Sequence, residues 1–225
     1  ITPNVYTVPR FASVGVNGNN YISLEDITFE KVTSNTLEAV RPSNNTLYQG
    51  ALQEASFTAT GEPYENIILI DSFTSKQFIQ STNNLNNSKF ISDNTFSVFV
   101  KDTATNTWTQ WSETASLFLE SAENKRYEKR LNQSGNYEFK FGNDQNGKKL
   151  TESDTVLIFY VTSDNQAGEA GPNALAGASF NLYASPNFTA ISEILYSADE
   201  NLITPANVTS LTLNNPNRTS PPKLA

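Results

Sequence analysis

Residues 137–161, YEFKFGNDQNGKKLTESDTVLIFYV, alternate apolar and polar side chains, break at a polar, glycine-containing turn, and then become almost continuously apolar. Period two is the repeat of a strand with one buried face, so Tyr137, Phe139 and Phe141 are expected to face a core while Glu138 and Lys140 face water. The second run, TVLIFYV at 155–161, is apolar on both faces and predicts a central strand covered on both sides. Between them, Asn143 to Gly147 reads as a chain reversal, because Asn, Asp and Gly tolerate positive φ.

Shorter versions of this signature recur along the chain in NNYISLEDITFEKV, ENIILIDSF, NTFSVFVKD, TWTQW and ASFNLYA, mostly bounded by Asn, Gly, Asp or Ser. The 225 residues include 28 Asn and 47 Ser plus Thr, whose short polar side chains bond to nearby backbone and favour turns over helix interiors. The chain is therefore expected to be mainly β, with two β-sandwich-like subdomains and little helix. Subdomains are expected over residues 1–85 and 86–185, parted near the loop-like STNNLNNSK at 81–89, with 186–225 as a C-terminal extension. The chain contains no Met, so it is expected to be part of a longer protein. One segment has two readings. Residues 112–131, SETASLFLESAENKRYEKRL, carry Ser112 as a possible N-cap and several helix formers; alternatively, a short turn around Ser116 to Glu120 leads to a hairpin pairing RYEKRL with YEFKFG across NQSGN.

The net charge of −8 gives no basic footprint for nucleic acid or anionic lipid, and neither partner is expected. With no Cys and no His, the chain lacks the commonest general base, the thiolate nucleophile and most transition-metal ligands, and no cofactor or metal is expected. Serine–histidine triads are excluded. A carboxylate pair of the glycosidase kind remains open, but candidates such as Glu25 with Asp26 or Asp199 with Glu200 sit in polar segments that read as solvated surface. Asp144, Asn146 and Gly147 carry a faint calcium-loop pattern, yet Lys148 and Lys149 stand where further acidic ligands are needed. Six N-x-S/T sites are no more than the Asn, Ser and Thr content produces by chance. Trp108 and Trp111, with Tyr127, could stack sugar rings or fill a core.

The order VPR, NNYISLEDITF, YQGALQEASF, NTFSVFVKD, a Trp, RYEKRL, NYEFKFGNDQNGKKLTESDTVLIFYVTSDNQAGEAGPN and SLTLNNP resembles the baseplate wedge proteins of T-even-like contractile-tailed phages and the wider J-like baseplate family. The resemblance is strongest from about residue 93 to 175: Phe141-Gly142, Gly147, Val156 to Tyr160, and Gly168, Gly171 and Asn173 take the places of that family's strand end, turn, apolar strand and Gly/Asn-rich loop. Asp144 stands where the family often has a second glycine, and Leu150 where it often has proline.

The resemblance implies a non-enzymatic structural subunit of the virion. Its partners would be itself, other wedge subunits and sheath-proximal baseplate proteins, in the ring around the tail hub that rearranges on sheath contraction. Two loops are the expected contact surfaces: Asn143 to Lys149, with Asn143, Asp144, Asn146, Gly147 and Lys148 as candidates, and Asp164 to Asn173, with Gly168, Gly171 and Asn173. The alternative from another class is a glycan-binding β-sandwich of a phage or bacterial surface protein that uses Trp108 and Trp111.

Overall fold

The computed structural model describes residues 5–33, 36–39, 47–69, 90–163, 178–181 and 210–212, with Gly168, Ala174 and Ile194 as isolated positions. The protein is mainly β. Its strands are β1 (Val5–Val8), β2 (Ser13–Val16), β3 (Asn19–Ser23), β4 (Ile27–Thr33), β5 (Thr36–Ala39), β6 (Leu47–Gln49), β7 (Ala51–Thr58), β8 (Asn66–Leu69), β9 (Phe90–Ile91), β10 (Ser97–Asp102), β11 (Thr107–Glu113), β12 (Arg126–Leu131), β13 (Tyr137–Phe141), β14 (Thr155–Ser163), β15 (Ser179–Asn181) and β16 (Ser210–Thr212). They form sheets in the orders β1-β4-β5, β16-β15-β2-β3-β6 and β7-β14-β10-β11-β12-β13-β8, with β9 also on β14.

The chain divides into two compact units, one of residues 1–53 with 161–225 and one of 54–160. This division differs from the boundaries at 85 and 185 that composition suggests, and strand pairing is the reason. β8 pairs with β13 in the register Leu69↔Tyr137, which joins 66–69 to the segment after 90, while β15 pairs with β2 through Phe180↔Val14, which joins the late chain to the first strands. The expected boundary loop at 81–89 lies outside the described residues.

In the unit of 54–160, the inner faces of β8, β10, β11, β12, β13 and β14 contribute to one core. Phe96 shows how the sheet bends around it: its ring lies 4.6 Å from Tyr137 and 5.2 Å from Phe139 on β13, and 6.0 Å from Tyr160 on β14, although three strands separate β13 from β14 in the sheet. Tyr137, Phe139 and Phe141 are buried as the alternation predicts, and Val156 to Tyr160 of β14 are buried on both faces. Glu138 departs from that pattern. It lies on the outer face, yet is only 8% exposed, because Arg130 on β12 donates to its carboxylate at 2.6 Å and covers it.

Residues 112–131 do not form the long helix. Ser112 lies inside β11, a single 3₁₀ turn occupies Leu117–Leu119, and β12 pairs with β13 from Tyr127↔Phe141 to Leu131↔Tyr137, as the hairpin reading expects. The hairpin closes locally: Asn132 Oδ1 accepts from the backbone N–H groups of Ser134 and Asn136, at 2.9 and 3.0 Å, and Gly135 takes φ 81°.

In the other unit, β2 and β3 form a hairpin that closes with Val16 opposite Asn19. Its two tip residues, Asn17 and Gly18, have φ of 52° and 82°, the positive pair that a type I′ turn requires. Nearby, buried Tyr21 donates its hydroxyl to the Gly168 carbonyl at 2.6 Å, and Ser163 donates to Gln49 Oε1 at 2.7 Å.

Phe141 anchors the larger core, with ring contacts to Trp111 at 5.4 Å and to Tyr127 at 6.3 Å. Phe141→Ala is expected to lower stability by about 3–5 kcal/mol in urea titration, as a large-to-small change at a fully buried site; a loss under about 1 kcal/mol would show that the ring does not carry the core.

Candidate functional site: a pinned loop beside an exposed apolar turn

The loop after β13 is closed by backbone. Gly142 N–H donates to Lys148 O at 3.1 Å, and Asp144 N–H to Gly147 O at 3.0 Å. Gly142 makes this approach possible, since a Cβ on it would stand 2.1 Å from the Gly147 carbonyl oxygen. Asn143 caps the turn, its Oδ1 accepting from Gln145 N–H and Asn146 N–H at 3.0 and 2.8 Å. Asp144, where a second glycine would be at ease, adopts φ 64°, and its carboxylate accepts from Lys149 N–H at 3.0 Å with Lys148 Nζ at 3.4 Å. The carboxylate thus serves the turn itself. Leu150, just after the loop, is buried in the core.

Neighbouring segments pin this loop from outside. Asn146 donates its side-chain amide to Tyr64 Oη at 2.7 Å, Tyr64 N–H donates to Gly142 O at 3.0 Å, and Lys148 N–H donates to Asn124 O at 2.8 Å. Lys148 also pairs with Glu123 at 3.5 Å. The segment 114–124, which supplies the Asn124 and Glu123 contacts, is itself fixed. Leu117 N–H donates to Glu128 Oε1 at 2.6 Å, Glu120 accepts from Thr114 Oγ1 at 2.8 Å and Asn124 Nδ2 at 2.7 Å, and Leu117 is buried against Gly147.

With Leu117 turned inward, the next two residues face out: Phe118 is 70% exposed and Leu119 83%. The Phe118 ring lies 6.4 Å from Tyr64, and Lys140 Nζ stands 4.6 Å over the Tyr64 ring from the outer face of β13. Ile68, also exposed, lies on that same outer face of the β8–β13 pair. Sequence periodicity missed this surface, because residues 116–120 read only as a short turn or as part of a helix; the one signal was an apolar pair directly after Leu117 in a segment with no fitting strand alternation.

The remaining candidates fall elsewhere. Of the second loop, Gly168 is buried and receives the Tyr21 hydroxyl, while Gly171 and Asn173 lie outside the described residues. Trp108 and Trp111, separated by three positions on β11, point to opposite faces. Trp111 is buried against Phe141, whereas half-buried Trp108 has Lys101 Nζ 5.6 Å from its ring, so the two share no stacking platform.

A hollow of about 340 Å³ opens where β11 and β12 part, lined by Asp93, Asn94, Glu113, Lys129, Arg130, Leu131 and Tyr137. Two carboxylates face it, but the Lys129 ammonium lies between them, 3.1 Å from Asp93 and 3.3 Å from Glu113, and donates to the Asp93 carbonyl at 2.8 Å. Both carboxylates are thus engaged by one cation. Burial, and then the charge of Asp93, push the Tyr137 hydroxyl up.

Several carboxyls are held below their ordinary range. The Arg130 bond holds Glu138 down, and the Lys149 N–H with the Lys148 charge does the same for Asp144. A depressed folded pKa contributes stability that is present above the unfolded pKa, near 4.5 for Glu138, and is lost as pH falls through the folded value. The chain has no His to titrate above that range. The urea midpoint is therefore expected to stay level from about pH 8 to about pH 5 and to fall below about pH 4.5. A midpoint that rises on acidification would contradict these pairings.

Comparison of the chain with protein-family models, with curated proteins and with solved structures finds no match.

Proposed function

We propose that this chain is a structural subunit of a phage tail baseplate wedge, a non-enzymatic module that pairs with itself and with other wedge subunits around the tail hub. The observation that carries the assembly reading is the exposed Phe118–Leu119 pair on a turn held by hydrogen bonds. Large apolar side chains presented in one conformation lose little entropy on docking, and aromatic anchors of this kind supply much of the binding energy of protein interfaces. The wedge assignment rests on the order of sequence motifs that resemble that family most strongly over about 93–175, the stretch that contains both the apolar turn and the pinned loop. The Asn143–Lys149 loop serves as the buttress of the contact. Tyr64, Lys140 and Ile68 extend the contact across the outer face of β13 and β8.

The test is incorporation into particles. In tails assembled with the double variant Phe118→Ser, Leu119→Ser, the amount of this chain in purified baseplates is expected to fall at least about tenfold, as for loss of a hot spot. The melting temperature of the free variant should stay near that of the parent, since neither side chain is in the core. Unchanged incorporation would remove this face as an interface. Absence of the parent chain from purified tails would instead remove the baseplate assignment.

A further inference from the structure

The sequence contains two Asn–Gly pairs, Asn17–Gly18 and Asn146–Gly147, and the fold treats them in opposite ways. We propose that Asn17 is a site of spontaneous deamidation, while the fold protects Asn146 from the same reaction. This inference is independent of the assembly reading.

The chemistry is intramolecular. The backbone nitrogen of the following residue, after losing its proton to solvent base, attacks the side-chain amide carbon of Asn. A new C–N bond forms, the bond to the amide nitrogen breaks, and ammonia leaves a cyclic succinimide. Water then opens either carbonyl, giving Asp or isoaspartate with no oxidant or reductant. The step needs a following residue without a Cβ, an amide that is free to turn, and backbone able to move toward it.

Asn17–Gly18 meets all three needs. Both residues are exposed at the tip of the β2–β3 hairpin, and a Cβ placed on Gly18 would meet nothing within 4 Å. Neither residue is packed against a neighbour that would resist the ring closure. Asn146–Gly147 meets only the first. The Asn146 amide is tied to Tyr64 Oη at 2.7 Å, its backbone N–H to Asn143 Oδ1 at 2.8 Å, and Gly147 O accepts from Asp144 N–H at 3.0 Å. Gly147 is also buried, and a Cβ there would sit 2.8 Å from the Leu117 side chain. The Asn146 amide and the backbone on either side of the attacking nitrogen are thus held by separate partners.

Conversion at Asn17 adds one negative charge to a chain of net charge −8, and the isoaspartate product inserts a methylene into a two-residue turn. Such a turn sets strand register through its positive φ pair, so the Val16↔Asn19 closure is the element that the product perturbs.

The experiment incubates the full chain in mildly alkaline buffer, folded and in urea, and follows both Asn residues by peptide mass spectrometry with fragmentation that separates Asp from isoaspartate. In the folded chain Asn17 is expected to convert at least about tenfold faster than Asn146, with Gly18→Ala suppressing the Asn17 reaction alone. In urea both pairs should convert at similar rates. Equal rates in the folded chain would overturn the proposal. So would an Asn17 that converts readily in urea but stays intact when folded, since the turn would then be protective.

Discussion

The close approach of Gly142 to Gly147 is the constraint on which the rest of the presented surface depends. Two backbone hydrogen bonds cross a gap too narrow for a Cβ on Gly142, and this lets the chain leave β13, turn, and return to bury Leu150. Beside this gap Gly147 packs on Leu117, and burial of Leu117 turns Phe118 and Leu119 outward. Tyr64 closes the arrangement from the other side, bonded to the Gly142 carbonyl and to Asn146. Three segments distant in sequence, near 64, 117–124 and 142–148, therefore depend on one backbone contact.

Several carboxylates among the described residues fix backbone or neutralise a neighbouring cation. Glu128 holds the Leu117 N–H, Glu138 holds Arg130, and Asp154 accepts from Thr103 N–H at 2.9 Å and Thr151 N–H at 2.9 Å. Lys129 lies between Asp93 and Glu113 with the Phe96 ring 5.1 Å from its ammonium. Under the proposed reading these charges serve rigidity, and the exposed apolar turn serves recognition. Ordering costs are met during folding, so little remains to be lost when a partner docks.

The legible part of the fold was its local part. Alternation in YEFKF and the two-sided apolar run at 155–161 identify β13 and β14, and Asn, Asp and Gly identify the turn between them. The hairpin of β12 with β13 was also within reach, because its closing loop carries its own Asn and Gly signals. What escaped depends on contacts between distant residues. The pairing of β8 with β13 joins positions about 70 apart, and nothing in either strand names its partner. Glu138 looks solvent-facing by period, but Arg130 arrives from the next strand and, with Asn66 and Asn132, engages its carboxylate. Phe118 and Leu119 are exposed because their neighbour Leu117 takes the inward position, a choice made by Gly147 and Glu128 rather than by local periodicity.

Native-state hydrogen exchange of the isolated chain, read at the amides of Gly142, Asp144, Lys148 and Lys149, reports whether the loop closure holds in solution. Gly142 and Asp144 donate across the loop closure, Lys148 to the Asn124 carbonyl and Lys149 to the Asp144 carboxylate, so all four are predicted to exchange with protection comparable to that of Phe141 N–H in the adjoining strand end. Exchange of these four amides at the rate of an unstructured peptide, with Phe141 still protected, would contradict the account: the loop would then be open in solution, and Phe118 and Leu119 would have no fixed seat.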